Sequence, residues 1–275
     1  MPPAPRRMLV TVAHPDDETF GMGSTIAHYA ASGVEVHVAC ATRGEAGEIA
    51  PGSDATVETL GEVREAELRA AAEVLGAHRV HLLGFRDSGM IPAEQNGDPN
   101  VFINAPEADV IAALTRLIRD VRPLVVVTMP PDGGTGHPDH IRICQLTTKA
   151  FKLAAHPGYI EPGGIVHAPA KLYYKEYPQA FIEAVATVRP EMMEHLRQSG
   201  IDKFGVDDDA ISAEIDVSDV LATRMKANAC HVSQGSPFDM LPPEMVPEVL
   251  GTDYFTRAIP SWNGGEKERD LFAGL

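Results

Sequence analysis

Short apolar runs alternate with longer segments of helical periodicity over the first half of the chain. The apolar runs are rich in β-branched residues and end in polar or glycine-rich stretches, so they predict β-strands. They cover residues 8–13, 34–41, 80–83 and 124–129. The last of them, LVVVTM, is dominated by apolar residues, which is typical of a strand that is covered on both faces.

The segments between these runs predict helices, because their apolar residues recur every three or four positions. We expect helices over residues 21–32, 59–76, 105–121 and 141–155. Helices that alternate with short strands are typical of a parallel sheet in a layered α/β protein. The predicted fold is therefore Rossmann-like, with a mostly parallel sheet, and its ligands should bind beyond the carboxyl ends of the strands.

The last third of the chain is less regular. It is predicted to contain a loop, two strands, a helix and then an extended, packed tail, at 157–169, 171–176, 211–217, 220–230 and from 235 onward. We therefore expect a single domain over residues 1–275, in which 1–155 form the α/β core and 156–275 form an elaborated C-terminal part.

Two clusters of histidine and acidic residues follow predicted strands. The first is AHPDDE at 13–18, and the second is GHPDH at 136–140. Both should lie at the same edge of the sheet, where two histidines and one carboxylate suit a catalytic zinc or a similar divalent ion. Either cluster alone could be a loop turn or a helix cap, and His140 alone could be an ordinary helix-face residue. Their joint placement favours a metal or catalytic site.

Composition and charge narrow the class of protein. The 275 residues include 23 Lys and Arg against 39 Asp and Glu, a formal net charge of −16 without a basic stripe, which disfavours a nucleic-acid partner. Cys40, Cys144 and Cys230 are too widely spaced for a disulfide framework or a metal knuckle, and we expect them in the core. Because no signal-peptide pattern and no apolar run of ~20 residues is present, we expect a soluble, cytoplasmic protein.

The two clusters resemble the motifs of the LmbE-like (PIG-L) de-N-acetylases. That family includes the deacetylases of mycothiol and bacillithiol biosynthesis and the N-acetylglucosaminyl-phosphatidylinositol deacetylase. The likeness spans essentially the whole chain and includes REAEL at 64–68 with LG at 75–76, RDSGM at 86–90, the segment from Lys226 to HVSQ at 231–234, and DLF at 270–272.

The resemblance implies roles for the residues of the two clusters. It implies a divalent ion, zinc or another such as Fe²⁺, held by His14, Asp17 and His140. Asp16 would be the general base, and His137 the electrostatic partner or general acid. The spacing of the residues alone does not say which of Asp16 and Asp17 binds the metal.

Other residues are expected to support catalysis or to bind the substrate. Asp139 could orient a histidine or cap the helix that carries His140. In the resemblance, Arg64 and Asp87 match positions that hold sugar hydroxyls or the attached group; the alternatives are a helix-surface salt bridge for Arg64 and a turn for Asp87. Glu48, and also Glu45, could line the mouth of the same site.

Two further features qualify the resemblance. His231 and Gln234 could support the site, although a buried structural histidine is also consistent with His231. Thr135 stands where some family members have a tyrosine, which leaves the match to the mycothiol deacetylase and the substrate open. The remaining histidines are expected to be structural or exposed, namely His28, His37, His78, His81, His156, His167 and His195.

The expected function is zinc-dependent hydrolysis of the N-acetyl group of an N-acetylglucosamine-type substrate, which releases acetate and a free amine. The alternatives are an amidase that acts on a larger sugar–thiol conjugate and a non-catalytic, metal-bearing binding protein. The second is disfavoured, because binding requires no spare base such as Asp16. A nucleotide site at Gly21-Met22-Gly23 is disfavoured because acids precede it. The expected partner is a small amino sugar, and homo-oligomerisation is left open.

Overall fold

The computed structural model describes residues 5–160, 165–188, 190, 194, 205–236 and 243–275. Within these residues, seven strands form one sheet. They are β1 (Arg7–Val12), β2 (Glu35–Cys40), β3 (Arg79–Leu82), β4 (Val125–Thr128), β5 (Lys171–Glu176), β6 (Ala213–Asp216) and β7 (Thr252–Ile259). Their order across the sheet is β3-β2-β1-β4-β5-β7-β6.

Helices connect and cover these strands. They are α1 (Asp17–Phe20), α2 (Gly23–Ala31), α3 (Leu60–Val74), α4 (Glu107–Val121), α5 (Gly133–Gly136), α6 (Pro138–Ala154), α7 (Gln179–Val188), α8 (Leu221–Asn228) and α9 (Val246–Leu250). Helix α8 packs against α2 and α3, and α4 packs against α6. Two groups of helices are expected when right-handed crossovers lead from β1 to β2 and β3 in one direction along the sheet and then to β4 on the other side of β1.

The first five strands in chain order are parallel, so the predicted α/β fold with a mostly parallel sheet is confirmed. Strand order reverses between β1 and β4, which creates the crevice where α/β proteins bind ligands. Thr11 of β1 bonds to Thr128 of β4 at 2.8 Å and to Thr147 of α6 at 2.9 Å. These contacts lock together the elements that carry the two histidine clusters.

The predicted strands and helices of the core are found, with small differences at their ends. The helix expected over 21–32 is α2, at 23–31, and a separate short helix, α1, precedes it at 17–20. Helix α6 begins at Pro138 instead of residue 141, because proline fits the first helical position and the ring of His137 caps the helix. Cys40 and Cys144 are buried, as expected, whereas Cys230 is partly exposed.

The expectation of a simple extended tail after residue 235 is wrong. β7 lies within the sheet, antiparallel to both β5 and β6. Its pattern is difficult to recognise because a buried position is occupied by Asp253, which pairs with Lys175 at 3.4 Å. Helix α7 was also not predicted, and His195 lies outside the described residues. Among the described helices, none has the length and apolar character required to cross a bilayer.

Candidate active site

The ends of β1 and β4 bring the two histidine clusters into contact. His14 follows β1 and His140 lies in the first turn of α6, and His14 Nδ1 is 3.1 Å from His140 Nε2. Asp17 places its Oδ1 3.3 Å from His140 Nε2 and its Oδ2 3.6 Å from His14 Nδ1. The structure therefore brings together the three residues that the family resemblance implies as metal ligands.

The turn after β1 holds these side chains in place. Oδ2 of Asp17 accepts the backbone N–H groups of Ala13 and His14, at 3.2 and 2.8 Å. Asp16 lies between His14 and Asp17 in this turn and has a φ of 123°, which non-glycine residues rarely adopt. A conformation of this kind costs on the order of 1–3 kcal/mol and persists only where its surroundings enforce it. Strain at this position is therefore associated with the candidate base.

Hydrogen bonds fix which nitrogen of each imidazole is free. His140 Nδ1 lies 3.0 Å from the carbonyl oxygen of Gly133 and therefore carries a proton, which leaves its Nε2 lone pair facing His14. Nε2 of His14 lies 3.3 Å from both Asp87 Oδ1 and Asp139 Oδ2, so it donates to these carboxylates. The ring nitrogens of His14 and His140 that face each other are thus the two that remain available to a cation.

The spacing of the three candidate ligands fits a divalent metal ion. The two imidazole nitrogens are 3.1 Å apart, and the carboxylate of Asp17 places Oδ1 3.3 Å from that of His140 and Oδ2 3.6 Å from that of His14. Ligands about 2.0–2.1 Å from a tetrahedral zinc ion lie roughly 3.3–3.4 Å from one another. Two imidazoles and one carboxylate also make a catalytic donor set, because they leave a position for water or substrate.

The electrostatics of the cluster favour a positive charge between these residues. Burial opposes a charge on His14, but hydrogen bonds to Asp139, Asp17 and Asp87 outweigh it and raise the pKa of His14 well above its usual range. Burial likewise opposes the charge on Asp17, yet nearby His140 and His14 hold the pKa of Asp17 well below its usual range. A site that draws a proton so strongly also suits a metal cation.

Asp139 and Asp87 support His14 from the side away from the candidate metal position. Asp139 is fully buried, and its Oδ2 also accepts the N–H of Ser88 at 3.0 Å. Asp87 is 4% exposed, and its Oδ1 accepts the N–H of Gly89 at 2.9 Å. A carboxylate behind a ligating histidine fixes the ring and raises its basicity. Both acids thus contact His14, and Asp87 also lines the adjoining cavity.

Asp16 lies beside these residues with only one oxygen engaged. Its Oδ2 accepts a hydrogen bond from Nη2 of Arg64 at 2.9 Å, whereas Oδ1 has no hydrogen-bond partner within the described part of the chain. Burial raises the pKa of Asp16 to about 6, against the opposing effect of Arg64. A carboxylate with a pKa near this value is well suited to accept a proton near neutrality.

Arg64 is buried under the loop that follows β2. It is 3% exposed and donates to the carbonyl oxygens of Pro15 at 2.6 Å and Gly44 at 2.9 Å. A Cβ on Gly44 or Gly47 would lie 2.3 Å from the guanidinium group, so these glycines provide the space for it. The alternative of a helix-surface salt bridge is wrong, because the guanidinium group points inward and holds Asp16 and the loop.

A cavity of about 290 Å³ lies in front of these side chains. Its wall is formed mainly by polar residues, together with Ala46, Gly47, Gly89 and Met90; the polar residues are His14, Asp16, Asp17, Glu48, Arg64, Asp87, His137, His140 and Gln234. Glu48 is exposed, and Glu45 lines an adjoining cavity of about 310 Å³. The lining offers hydrogen-bond donors and acceptors to a hydroxylated ligand.

His137 caps α6 and presents a hydrogen-bond donor to the site. Its Nδ1 accepts the N–H of Asp139 at 3.2 Å, so the capping role considered for Asp139 belongs to His137. Burial and the nearby His14 and His140 lower the pKa of His137 to about 4, and the neutral ring carries its proton on Nε2. Thr135, which stands where some family members have a tyrosine, lies on the wall of a different cavity and not of this one.

A buried ion pair beneath the site was not identified from the sequence. Glu18 and His231 are both almost completely buried, and Glu18 Oε1 lies 2.8 Å from His231 Nε2. Oε2 of Glu18 accepts the backbone N–H of Asp16 at 2.9 Å, which helps to hold the strained residue. The sequence pattern identified the acidic cluster at 13–18 and the HVSQ segment separately, but it did not predict that they pair across more than 200 residues. Gln234 donates to the carbonyl oxygen of Glu48 at 3.2 Å.

The fold and the site together indicate an enzyme with a candidate cation site at the switch point of an α/β sheet. A family model described as GlcNAc-PI de-N-acetylase matches residues 9–151. The chain belongs to this de-N-acetylase family, as the sequence motifs indicated.

Curated relatives match nearly the full chain. A 1D-myo-inositol 2-acetamido-2-deoxy-alpha-D-glucopyranoside deacetylase of Streptomyces griseus is 39% identical over 98% of this chain and 89% of its own length. A deacetylase of the same name from Thermobispora bispora is 37% identical over 99% of both chains. These relatives extend the family assignment to the C-terminal third.

Solved structures share the fold at low sequence identity. The N,N'-diacetylchitobiose deacetylase of Pyrococcus horikoshii has a TM-score of 0.63 at 20% identity, over 92% of this chain and 83% of that chain. The 4-carboxy-2-hydroxymuconate hydratase of Pseudomonas putida also has a TM-score of 0.63, at 21% identity, over 95% and 99%. Since a hydratase shares this fold, the fold alone does not determine the reaction.

Proposed function

We propose that the protein uses a zinc ion, held by His14, Asp17 and His140, to remove the acetyl group from the nitrogen of an N-acetylglucosamine unit. The observation that carries the proposal is the meeting of two imidazole nitrogens, 3.1 Å apart, with the carboxylate of Asp17, whose two oxygens lie 3.3 and 3.6 Å from them. Asp16 lies beside this group, and its Oδ1 is not engaged. A site for binding alone would not require this carboxylate. The predicted cytoplasmic location fits the free thiols of the three cysteines.

The residues divide the reaction between them. A bound divalent ion supplies Lewis acidity, which polarises the acetyl carbonyl and lowers the pKa of a water molecule. Asp16 takes a proton from the attacking water as the new C–O bond forms, and Nε2–H of His137 donates to the developing oxyanion. As the C–N bond breaks, Asp16 returns the proton to the nitrogen, so the products are the free amine and acetic acid, which ionises to acetate.

The cavity supports a sugar substrate. Glu48 at the rim, with Asp87 and Gln234 deeper inside, offers hydrogen bonds to hydroxyl groups. Arg64 already contacts Asp16 and two carbonyl groups, so we assign it the task of positioning the base, with a sugar contact as a secondary role. The names of the relatives make a glucosaminide joined to inositol the first substrate to test.

An amine-release assay tests this function. The metal-loaded enzyme is supplied with N-acetylglucosamine, its α-glucoside with inositol, diacetylchitobiose and a sugar–thiol conjugate, and bound metal is measured in parallel. We expect turnover of an N-acetylglucosaminide, its loss after chelation, and its recovery with Zn²⁺. Preference for the thiol conjugate would favour the wider amidase function. Absence of amine from every substrate, with one metal ion bound at the site, would instead indicate a binding protein.

A further inference from the structure

A second group of imidazoles lies toward the amino ends of the strands, at the end of the sheet opposite the active site. His37 is in β2, His78 comes directly before β3, and His81 is in β3. Glu35 is the first residue of β2, so the group is found toward the amino ends of these strands. The active site lies beyond the carboxyl ends. None of these four residues has a role in the proposed deacetylation.

The pairing of β2 with β3 creates this group. Residues 35 and 37 lie on the same face of β2, since side chains alternate along a strand. The parallel register places His37 opposite Arg79 and Ala39 opposite His81, which puts His37 and His81 on neighbouring positions of that face. The ring of His37 has its centroid 5.0 Å from that of His78 and 5.3 Å from that of His81.

The side chains offer a set of metal donors. One ligand atom from each of Glu35, His37 and His78 can be chosen so that all three lie within 4.8 Å of one another. His37 is 8% exposed, whereas His78 is exposed, so the group runs from the protein interior to solvent. Burial and the two neighbouring imidazoles lower the pKa of His37 to about 4, so its ring is neutral near pH 7.

We propose that Glu35, His37 and His78 form a second metal site that binds a divalent transition-metal ion such as Zn²⁺, Co²⁺ or Ni²⁺. Imidazole and carboxylate donors suit these ions, and three protein ligands leave the remaining coordination to water. The site is independent of the proposed deacetylation, and the two hypotheses can fail separately.

Two neighbouring residues are arranged to support these ligands. His37 Nδ1 lies 3.0 Å from His81 Nε2, so a proton shared by these atoms leaves the other nitrogen of His37 available to a cation. Arg7 Nε donates to Glu35 Oε2 at 2.7 Å, which leaves Oε1 free. Partners of this kind orient metal ligands and set their protonation state.

Metal binding would join the edge strand β3 to β2. β3 has four residues and, among the described strands, pairs with β2 alone at the end of the sheet. A ligand that binds only the folded state stabilises it by mass action. We therefore expect added Zn²⁺ to raise the melting temperature through this site even in a variant whose catalytic site is removed.

Equilibrium dialysis against Zn²⁺, with Co²⁺ absorption as an independent probe, tests the proposal. We expect two ions per wild-type chain, one in His78→Ala, and two in the matched control His156→Ala, which removes an exposed histidine elsewhere. His78 is exposed, so its substitution should not prevent folding. In His14→Ala, whose catalytic site is impaired, one ion should remain and should be lost in the double variant with His78→Ala.

Several outcomes would overturn the proposal. The first is a single ion in the wild type that is lost in His14→Ala. The second is two ions retained in His78→Ala. The third is a zinc-dependent rise in melting temperature that is equal in His14→Ala and in the double variant with His78→Ala. His37→Phe, which removes the buried ligand, provides a second test. A folded His37→Phe variant with two ions per chain would also contradict the assignment.

Discussion

Replacing Asp16 by asparagine removes the proposed base and preserves most of its shape. The amide oxygen can still accept the hydrogen bond from Nη2 of Arg64, which is 2.9 Å from Asp16 Oδ2. Arg64 also keeps its bonds to the carbonyl groups of Pro15 and Gly44. The substitution therefore removes a proton acceptor while leaving the three candidate ligands, His14, Asp17 and His140, unchanged.

The magnitude follows from these contacts. Loss of a positioned general base lowers kcat by about 10²–10⁴-fold, which is about 2.7–5.4 kcal/mol in the activation barrier. The asparagine keeps the hydrogen bond to the guanidinium group, which is 3% exposed, and removes a carboxylate whose charge is opposed by burial. The free energy of unfolding should therefore change by no more than about 1–3 kcal/mol in either direction. We therefore expect a folded protein that binds its metal but has little turnover.

The assay combines amine release, metal analysis and urea denaturation. Asp16→Asn should retain about one zinc ion at the catalytic site, whereas the matched variant Asp17→Asn should bind the metal more weakly. The pKa of Asp16 is raised to about 6, so the base becomes protonated as the pH decreases through this value. The wild-type kcat/KM should therefore fall over the same pH range. Turnover of Asp16→Asn within tenfold of the wild type would refute the assignment of the base.

Three further substitutions test the surroundings of the site. His231→Ala leaves the buried carboxylate of Glu18 without its partner at 2.8 Å. The free energy of unfolding, measured by urea titration, should therefore fall by about 3–5 kcal/mol. A loss below about 1 kcal/mol would show that the pair contributes little. Gly44→Ala would place a Cβ 2.3 Å from the guanidinium group of Arg64, which holds Asp16. We expect kcat/KM to fall at least about tenfold while the metal content stays unchanged. Normal kinetics would contradict the role of the loop in positioning Arg64. Burial raises the pKa of Glu176 to about 8, so its folded state retains a proton that the unfolded state releases above about pH 4.5. This contribution to stability is present below pH 4.5 and is lost as the pH rises through 8, so Glu176→Gln should gain on the order of 2–4 kcal/mol relative to the wild type between pH 5 and pH 9. Parallel pH dependence of the two unfolding free energies would refute the assigned pKa.

Much of the fold could be predicted because its signals are local. The runs over 8–13 and 124–129 show their burial in their composition, and α3 and α4 show a clear helical period. β7 was missed because its side chains include a buried Asp253, which is stabilised only by contacts with other strands and helices. Local patterns cannot predict a polar residue whose partner is distant in the chain.

The sequence alone determined that His14 and His140 would lie at one edge of a parallel sheet, because strand direction fixes where the carboxyl ends lie. It also determined the family, since the paired motifs are specific. Only the tertiary structure decided that Arg64 turns inward to hold Asp16, that Glu18 pairs with His231, and that His37 meets His78 and His81. These contacts depend on side-chain direction and on the register of distant elements, which are set by the packing of the whole molecule.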